Sequence, residues 1–220
     1  MKAAVLISGG GTNLKALIDA IDSGVLDMQL VAVISNREKA PGINYATAAA
    51  LPVSVISESA FEARNDHDAA VADVLRQARP QLIVLAGYMR ILGTEFTRQF
   101  RGQLINLHPS LLPAYKGLDT YNRVLHAGDH EFGASIHFVN AGLDAGPVIT
   151  QVRLPVLPDD DAGSLKARLA PLEHKLLVAT AALFCKHEVS LENDRVMYQN
   201  RVLVSALQMQ HDCTFRMRQL

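Results

Sequence analysis

The chain has 220 residues, of which 49% are apolar, and its 21 basic and 22 acidic side chains give a formal net charge of −1 with the eight histidines neutral. This apolar content and low charge exclude a disordered chain and allow a large buried core without metals or disulfides. The near-neutral balance gives no general attraction to nucleic acid or anionic membranes, so an anionic ligand must be bound by a local site.

The N-terminal sequence and the cysteines indicate the cellular compartment of the protein. No stretch approaches the roughly 18–20 consecutive apolar residues that would cross a bilayer. The apolar start runs into Gly9–Gly11 too early for a signal peptide, so it is predicted to form a buried strand. Cys185 and Cys213 form neither a CxxC pair nor a disulfide framework. We therefore expect a cytoplasmic protein with no membrane or nucleic-acid partner.

In the first half of the chain, short segments rich in Val, Ile and Leu alternate with helical patterns. Buried strands are predicted over Ala3–Ser8, Leu30–Ser35, Pro52–Ile56, Leu82–Ala86 and Leu104–Leu107. Helices are predicted over Asn13–Ile21, Ile43–Ala50, Arg64–Ala78 and Thr94–Phe100. This alternation predicts an α/β fold with a parallel sheet wound by right-handed crossovers.

The second half of the chain has a different pattern. Strands are predicted over Gly133–Val139, which alternates polar and apolar residues, and over Val148–Leu154. A long helix is predicted from about Ser164, as N-cap, to Cys185, and Pro171 should kink it or mark its true start. Residues 188–203 have a hairpin pattern with a turn near Asn193-Asp194. We expect one domain over residues 1–203, with an antiparallel and helical C-terminal elaboration, and a tail over residues 204–220 whose last ten residues are mobile.

A glycine loop, Ser8–Asn13, joins the first strand to the first helix. Glycines let main-chain N–H groups approach a ligand, and the helix start adds partial positive charge, so a phosphate would suit this loop. The loop lacks the Lys of a P-loop, and Leu14 replaces the third glycine of a dinucleotide fingerprint, which disfavours a nucleotide-dependent oxidoreductase. A tight turn with no ligand is the alternative, but three consecutive glycines exceed what a turn requires.

Polar residues that suit acyl chemistry follow the fifth strand. Asn106 and His108 are two positions apart, so they project from the same face at the carboxyl end of a parallel strand, where α/β sheets bind ligands. An amide beside an imidazole suits the stabilisation of an oxyanion during proton transfer. Asp144, in a turn-rich loop, would raise the pKa of His108 if the two meet. As alternatives, Asn106 and His108 are strand-end caps and Asp144 is a turn residue.

The segment Asn106-Leu-His108-Pro-Ser-Leu-Leu-Pro113 resembles the signature of the folate-dependent formyltransferases. The glycine loop, the segment Leu85–Leu92 and the segment Leu143–Pro147 match the same family in order and spacing, over about residues 1–187. The glycine loop is similar to that of the branch acting on glycinamide ribonucleotide in purine synthesis. The resemblance implies a Rossmann-like fold whose nucleotide side is about residues 1–105 and whose folate side is about residues 106–203.

The resemblance also implies a reaction. The amine of glycinamide ribonucleotide attacks the formyl carbon of 10-formyltetrahydrofolate, the cosubstrate. Asn106 and His108 would stabilise the tetrahedral oxyanion, with His108 as general acid. Asp144 would keep His108 protonated and organise a water for proton transfer. No metal is implied, and no cluster of residues has the spacing of metal ligands.

Substrate contacts are likewise implied by the resemblance. The phosphate would lie on Gly11, Thr12 and Asn13, and Glu173 would contact the polar end of the same substrate. The folate would be bound by Arg64, Met89, Arg90, Ile91, Leu92, Asn106, Asn140, Ala141, Gly142, Leu143 and Asp144. As alternatives, Glu173 and Arg64 are solvated helix charges, and Ile91 and Leu92 are core residues. His137 also matches the family and is expected to pack beside the site.

Other functions remain open from the sequence. Formyl-folate hydrolysis would use the same three groups with water as nucleophile, although those hydrolases carry an additional N-terminal domain and this chain begins at the sheet. Methionyl-tRNA formyltransferases add a C-terminal nucleic-acid-binding domain, for which this chain is too short and too neutral. A non-catalytic binding module is a further alternative. Two positions depart from the family, since Asp119 replaces a common His and Gly10 a common Asn. We expect small-molecule substrates and a monomer or homodimer.

Overall fold

The structure, a computed structural model, describes residues 1–217 and divides into two units, of which the first is Met1–Asn106 and the second begins at Leu107. The strands of the first unit are β1 (Lys2–Ile7), β2 (Gln29–Ser35), β3 (Val53–Val55), β4 (Leu82–Leu85) and β5 (Leu104–His108), the last of which ends just beyond the unit. The connecting helices are α1 (Thr12–Asp22), α2 (Gly42–Ala48), α3 (Arg64–Ala78) and α4 (Thr94–Gln99), and a 3₁₀ turn covers Glu58–Ala60. All five strands and four helices predicted for this region are confirmed, but the prediction that β3 is buried was wrong, since Val55 is 45% exposed.

The sheet of the first unit is parallel, in the order β5, β4, β1, β2, β3. Residues Ala3–Ile7 of β1 are fully buried, as expected for a strand covered on both faces. The chain leaves β1 towards β2 on one side and later returns to β4 on the other. The strand order therefore reverses between β1 and β4, and the loops that follow these strands flank the position where α/β sheets bind ligands.

The second unit contains antiparallel and helical elements. These are α5 (Thr120–Ala127), β6 (Glu131–Phe138), β7 (Val148–Pro155), α6 (Ala162–Cys185), β8 (Val189–Glu192), β9 (Arg195–Tyr198), β10 (Arg201–Val202), β11 (Leu207–Met209) and β12 (Phe215–Arg216). Strands β6 and β7 are antiparallel, with an irregularity between Ile136 and His137. Strand β11 adds to β7 in parallel, and β12 pairs with β11. Strands β8, β9 and β10 form a separate antiparallel sheet.

Several boundaries in the second unit differ from the sequence predictions. Helix α6 begins at Ala162, because Asp161 is the N-cap and exchanges hydrogen bonds with Ser164 in a capping box. Ser164 is therefore the third helical residue and the prediction that it is the N-cap was wrong. The helix contains Pro171 in its interior, so Pro171 does not mark its start. The turn at Asn193-Asp194 is confirmed, with both residues at positive φ.

Two regions to which the sequence assigned no element are ordered in regular structure. Helix α5 was not predicted, and β11 and β12 lie within the predicted tail over residues 204–220. Leu207 of β11 is fully buried, so this part of the chain contributes to the packed sheet. Among residues 1–217, no helix combines the length and apolar character that crossing a membrane would require.

Candidate active site

The glycine loop after β1 is held against the start of α2. A Cβ on Gly11, whose φ is +71°, would lie 2.4 Å from the Cα of Gly42, so the two backbones approach as closely as glycine allows. The Gly42 N–H donates to the Gly9 carbonyl at 3.0 Å. Gly11 precedes α1 and provides no side-chain cap, and the first turn of α1 contains no acidic residue. The N–H groups of this turn are therefore suited to an anion, as predicted for Gly11, Thr12 and Asn13.

The segment after β4, predicted to contact the folate, is connected to the glycine loop. The Met89 N–H donates to Ser8 Oγ at 2.7 Å, and Ser8 Oγ donates to Asn36 Oδ1 at 2.6 Å. The side chains of Met89 and Ile91 are 58% and 50% exposed, whereas Leu92 is buried. The side chain of Leu92 is therefore packed in the core, which leaves its main chain for a ligand, whereas the apolar side chain of Ile91 is open to solvent.

Carboxylates fix the conformation of this same segment. Asp68 Oδ2 accepts from the Gly93 N–H at 2.8 Å. The Arg90 guanidinium lies between Glu58 (Nη1–Oε2, 3.3 Å) and Asp68 (Nε–Oδ1, 3.7 Å), and it donates to the Arg64 carbonyl at 3.5 Å. The structure thus brings Arg64 and Arg90 together at the start of α3. The side chain of Arg64 is exposed, which is compatible with either a folate contact or a surface charge.

In the second unit, one carboxylate lies between two buried imidazoles. Asp144 Oδ2 is 3.4 Å from His108 Nδ1, and Asp144 Oδ1 is 3.5 Å from His137 Nε2. His108 and His137 are 5% and 2% exposed. The expected meeting of His108 and Asp144 is therefore present. His137 packs beside the pair as expected and, beyond that expectation, also contacts the carboxylate.

The outer nitrogens of both imidazoles face main-chain carbonyls. His108 Nε2 is 2.9 Å from the Tyr115 oxygen, and His137 Nδ1 is 2.8 Å from the Phe138 oxygen. A carbonyl only accepts hydrogen bonds, so each of these nitrogens carries a proton. In His108 this leaves Nδ1, on the side of Asp144, as the ring nitrogen at which the protonation state can change.

Burial dominates the electrostatics of this cluster. Burial lowers the pKa of His108, and it outweighs the raising effects of the Tyr115 carbonyl and of the Asp144 carboxylate. The predicted raising effect of Asp144 on the pKa of His108 is therefore present, but burial outweighs it, so the pKa of His108 lies below its ordinary value. For Asp144, burial alone would raise the pKa, but hydrogen bonds from His137 and Gly117 and the nearby His108 together lower it.

The loop Asn140–Asp144 follows β6 and presents the carboxylate. Asn140, Ala141, Gly142 and Leu143 are exposed, and the Gly142 N–H donates to Asn140 Oδ1 at 3.0 Å. Asp144 has a φ of +43°. The side chain of Asn140 thus orders the main chain of the loop, and the exposed residues of the loop are accessible to a ligand.

Asn106 and Glu173 are the remaining predicted site residues. Asn106 is half-buried and pairs with Leu85 between β5 and β4, two residues before His108. Glu173 lies in α6, where burial raises its pKa to about 7. Glu173 is half-buried and not fully solvated, and its contact with the substrate stays a prediction.

Sequence reasoning missed the main-chain groups that complete the cluster. Tyr115 O contacts His108, and the Gly117 N–H donates to Asp144 Oδ2 at 2.9 Å. Main-chain groups carry no residue signature, so no signal in the sequence could have identified them. Among residues 1–217, no group of three or more His, Cys, Asp or Glu side chains is arranged to hold a metal ion.

This combination of sheet and site is found in known enzymes. A sequence model described as formyl transferase matches residues 1–181, and the chain belongs to this family. Formyl transfer is accordingly the class of reaction it catalyses.

Individual relatives place the chain more closely within the family. It is 39% identical over 202 residues to phosphoribosylglycinamide formyltransferase of Haemophilus influenzae, covering 92% of this chain and 95% of that protein. The solved phosphoribosylglycinamide formyltransferase of Coxiella burnetii superposes with a TM-score of 0.90 at 41% identity, covering 94% of this chain and 98% of the other. A formyltetrahydrofolate deformylase of Burkholderia mallei is more distant, with 28% identity, a TM-score of 0.81, and coverage of 90% of this chain and 69% of the other.

Proposed function

We propose that this chain transfers the formyl group of 10-formyltetrahydrofolate to the amine of phosphoribosylglycinamide (glycinamide ribonucleotide) in purine biosynthesis. Family membership supports the reaction class, and the names of the more similar relatives support the acceptor. The proposal rests on the His108–Asp144–His137 cluster. Its imidazole and carboxylate groups suit proton transfer at the carbonyl of a bound formyl group.

The proposed chemistry is an acyl transfer through a tetrahedral intermediate. The acceptor amine forms a bond to the formyl carbon, and the carbonyl oxygen becomes an oxyanion that the Asn106 amide and His108 stabilise. Collapse of the intermediate breaks the bond from the formyl carbon to the folate nitrogen, and this nitrogen takes up the proton that the attacking amine loses. Asp144 orients His108 and organises the water through which the proton moves.

The lowered pKa of His108 suits this role. A lower pKa means that the imidazolium binds its proton less tightly, so it donates this proton more readily to a developing oxyanion. The negative charge of that oxyanion in turn favours the imidazolium during the reaction. His108 therefore needs to be charged only while the intermediate exists.

The two substrates would be bound by different segments. The phosphate of the acceptor binds the N–H groups at Gly11, Thr12 and Asn13, and the half-protonated Glu173 binds its polar end. For the folate, the exposed Met89 and Ile91 side chains supply apolar contact. Arg64, Arg90, Leu92, Asn106 and the loop Asn140–Asp144 supply the other folate contacts.

The test is an assay of formyl transfer to phosphoribosylglycinamide, run beside a reaction without acceptor. We expect formylation that depends on the acceptor, with little release of formate when the acceptor is absent. In the variant Asn106→Ala, turnover should fall by about 10²- to 10³-fold, which is the usual effect of losing one oxyanion donor. The melting temperature of this variant serves as the control for folding.

Two outcomes would contradict the proposal. Release of formate at the same rate with and without acceptor would assign the chain to formyl-folate hydrolysis, the activity of the more distant deformylase relative. Equal turnover of Asn106→Ala and the parent would remove Asn106 from the proposed mechanism.

A further inference from the structure

The loop Tyr115–Leu118, between β5 and α5, contacts both members of the His108–Asp144 pair. Its Tyr115 carbonyl accepts from His108 Nε2 at 2.9 Å, and its Gly117 N–H donates to Asp144 Oδ2 at 2.9 Å. Both contacts are made by the main chain. They therefore depend on the conformation of the loop and not on its side chains.

This conformation is not one that the loop favours by itself. Tyr115 has a φ of +54°, and Asp119, directly after the loop, has a φ of +59°. Residues with a Cβ are strained in this left-handed region, so other parts of the structure must hold them there. Gly117, at a φ of +81°, is the one residue of the three that adopts the region without strain.

The side chain of Arg123 contacts most of the loop. Arg123, in α5, donates from Nη1 to the carbonyls of Lys116 (2.6 Å) and Leu118 (3.3 Å). Its guanidinium carbon also lies 5.4 Å from the centre of the Tyr115 ring, within range of a cation–π contact. Arg123 thus contacts Tyr115, Lys116 and Leu118, on both sides of Gly117.

We propose that Arg123 is a positioning residue for the transfer reaction, holding the loop Tyr115–Leu118 so that its main chain orients His108 and Asp144. With Nε2 of His108 fixed on the Tyr115 carbonyl, Nδ1 is directed to Asp144 and to the reacting oxygen. The Gly117 N–H keeps the Asp144 carboxylate in place. This role rests on the proposed function, and Arg123 exerts it through its contacts with the loop.

Charge is a competing explanation for any effect of Arg123. His108 is faced by Asp144, His137 and the Tyr115 carbonyl, and the positive charge of Arg123 contributes to the lowering of its pKa. The variant Arg123→Lys keeps this charge, but an ammonium group lacks the planar fork of the guanidinium. The variant Arg123→Gln removes both the charge and the fork. Comparing the two separates charge from positioning.

Arg168 provides a matched control in the same unit. Its guanidinium donates to the Pro155 carbonyl at 2.8 Å and contacts Asp160, so Arg168→Gln also removes a guanidinium–carbonyl contact. No contact of Arg168 involves the loop Tyr115–Leu118 among those described. We expect Arg168→Gln to lower the melting temperature while leaving kcat unchanged.

The kinetic test measures kcat and KM for both substrates. In Arg123→Gln, kcat should fall by about 10-fold or more while each KM stays within about 3-fold, because misplaced catalytic groups affect turnover more than binding. In Arg123→Lys, kcat should also fall clearly below that of the parent, since the fork is lost while the charge remains. A kcat within twofold of the parent in both variants would overturn the proposal, as would full activity in Arg123→Lys, which would assign the effect to charge. If Arg123→Gln fails to fold, Arg123→Lys decides.

A second readout does not depend on activity. In the ¹⁵N-labelled protein without substrate, NMR should show the His108 Nε2–H of the parent protected by its carbonyl partner. We expect its chemical shift and its exchange with water to change in Arg123→Gln and not in Arg168→Gln. Unchanged His108 signals would overturn the proposal even if the parent transfers formyl groups. Absence of transfer by the parent would instead refute the proposed function, while the NMR result would still report on the loop.

Discussion

Glu173 illustrates how burial changes the property of one residue. Its position in a helix is compatible with a solvated charge, but burial raises its pKa to about 7. Near neutral pH such a group is protonated about half of the time, so it both donates and accepts hydrogen bonds. This suits contact with the hydroxyl groups of a sugar, as the proposed acceptor requires.

Replacing Glu173 by Gln should remove the contribution of this carboxyl group to the pH dependence of stability. Because the folded-state pKa lies above the usual 4.5, the stability gained from the protonated group is fully present below pH 4.5 and is lost as the pH rises through about 7. The free energy of unfolding lost in this way is on the order of 3 kcal/mol, because one pKa unit corresponds to about 1.36 kcal/mol. We expect Glu173→Gln to melt at a higher temperature than the parent at pH 8, with a smaller difference at pH 5.

The control for this prediction is Glu38→Gln, in which an exposed carboxylate is replaced. It should melt close to the parent at both pH values, since exposed charges contribute little to stability. A Glu173→Gln variant that follows the parent at both pH values would show that the carboxylate is solvated after all.

The residues of the candidate site were predictable to different degrees. His108 and Asp144 carry side chains with characteristic chemistry in a recognisable pattern, so their meeting was anticipated. The contacts of Tyr115 and Gly117 were not, because any residue type supplies a main-chain carbonyl or N–H. The sign of the pKa change at His108 also required the structure, since burial is not visible in a local sequence.

At the scale of elements, the glycine loop depends on the packing of α1 against α2. A Cβ added to Gly42 would lie 2.9 Å from both Gly11 Cα and Ile7 Cδ1, and the backbone at Gly11 is fixed. By contrast, a Cβ on Gly10 would meet no atom within 4 Å. The loop therefore tolerates added volume at Gly10, whereas the start of α2 does not tolerate it at Gly42.

The variant Gly42→Ala should lower the free energy of unfolding by about 1–3 kcal/mol, the usual range for overpacking. The variant Gly10→Ala should change it by less than about 0.5 kcal/mol, because it adds a methyl group to open space. Denaturant unfolding of both variants provides the measurement. Equal stability of the two would mean that the α1–α2 contact adjusts without cost.

The elements that the sequence predicted are those with strong local patterns. Buried strands and long helices of the first unit show continuous apolar runs or helical periodicity, and all were found. Strand β11 has only three residues and exists because it pairs with β7, far away in the sequence. Such elements depend on tertiary contacts that a local pattern does not contain.

At the scale of the whole molecule, buried titratable groups determine how stability depends on pH. Burial lowers the pKa of His108 and of His174, so protonation below about pH 6.5 favours the unfolded chain. Glu173, with its raised pKa, acts in the opposite direction, since the folded chain binds its proton more tightly between pH 4.5 and about 7. These opposing effects predict a weak dependence of stability on pH between 5 and 7.

Below pH 4 the balance changes, because several aspartates have a lowered pKa in the folded chain: Asp144, Asp160, Asp161 and Asp212. The stability that they contribute is present above their usual pKa of 3.8 and is lost as the pH falls through the folded values. We expect a nearly constant melting temperature from pH 7 to 5 and a steady decrease from pH 4 to 2. The chain contains no tryptophan, so far-UV circular dichroism is the suitable signal. A melting temperature that rises below pH 4 would contradict this prediction.

In Glu173→Gln the melting temperature should decrease from pH 7 to 5 and no longer stay constant, because the effects of His108 and His174 are then unopposed.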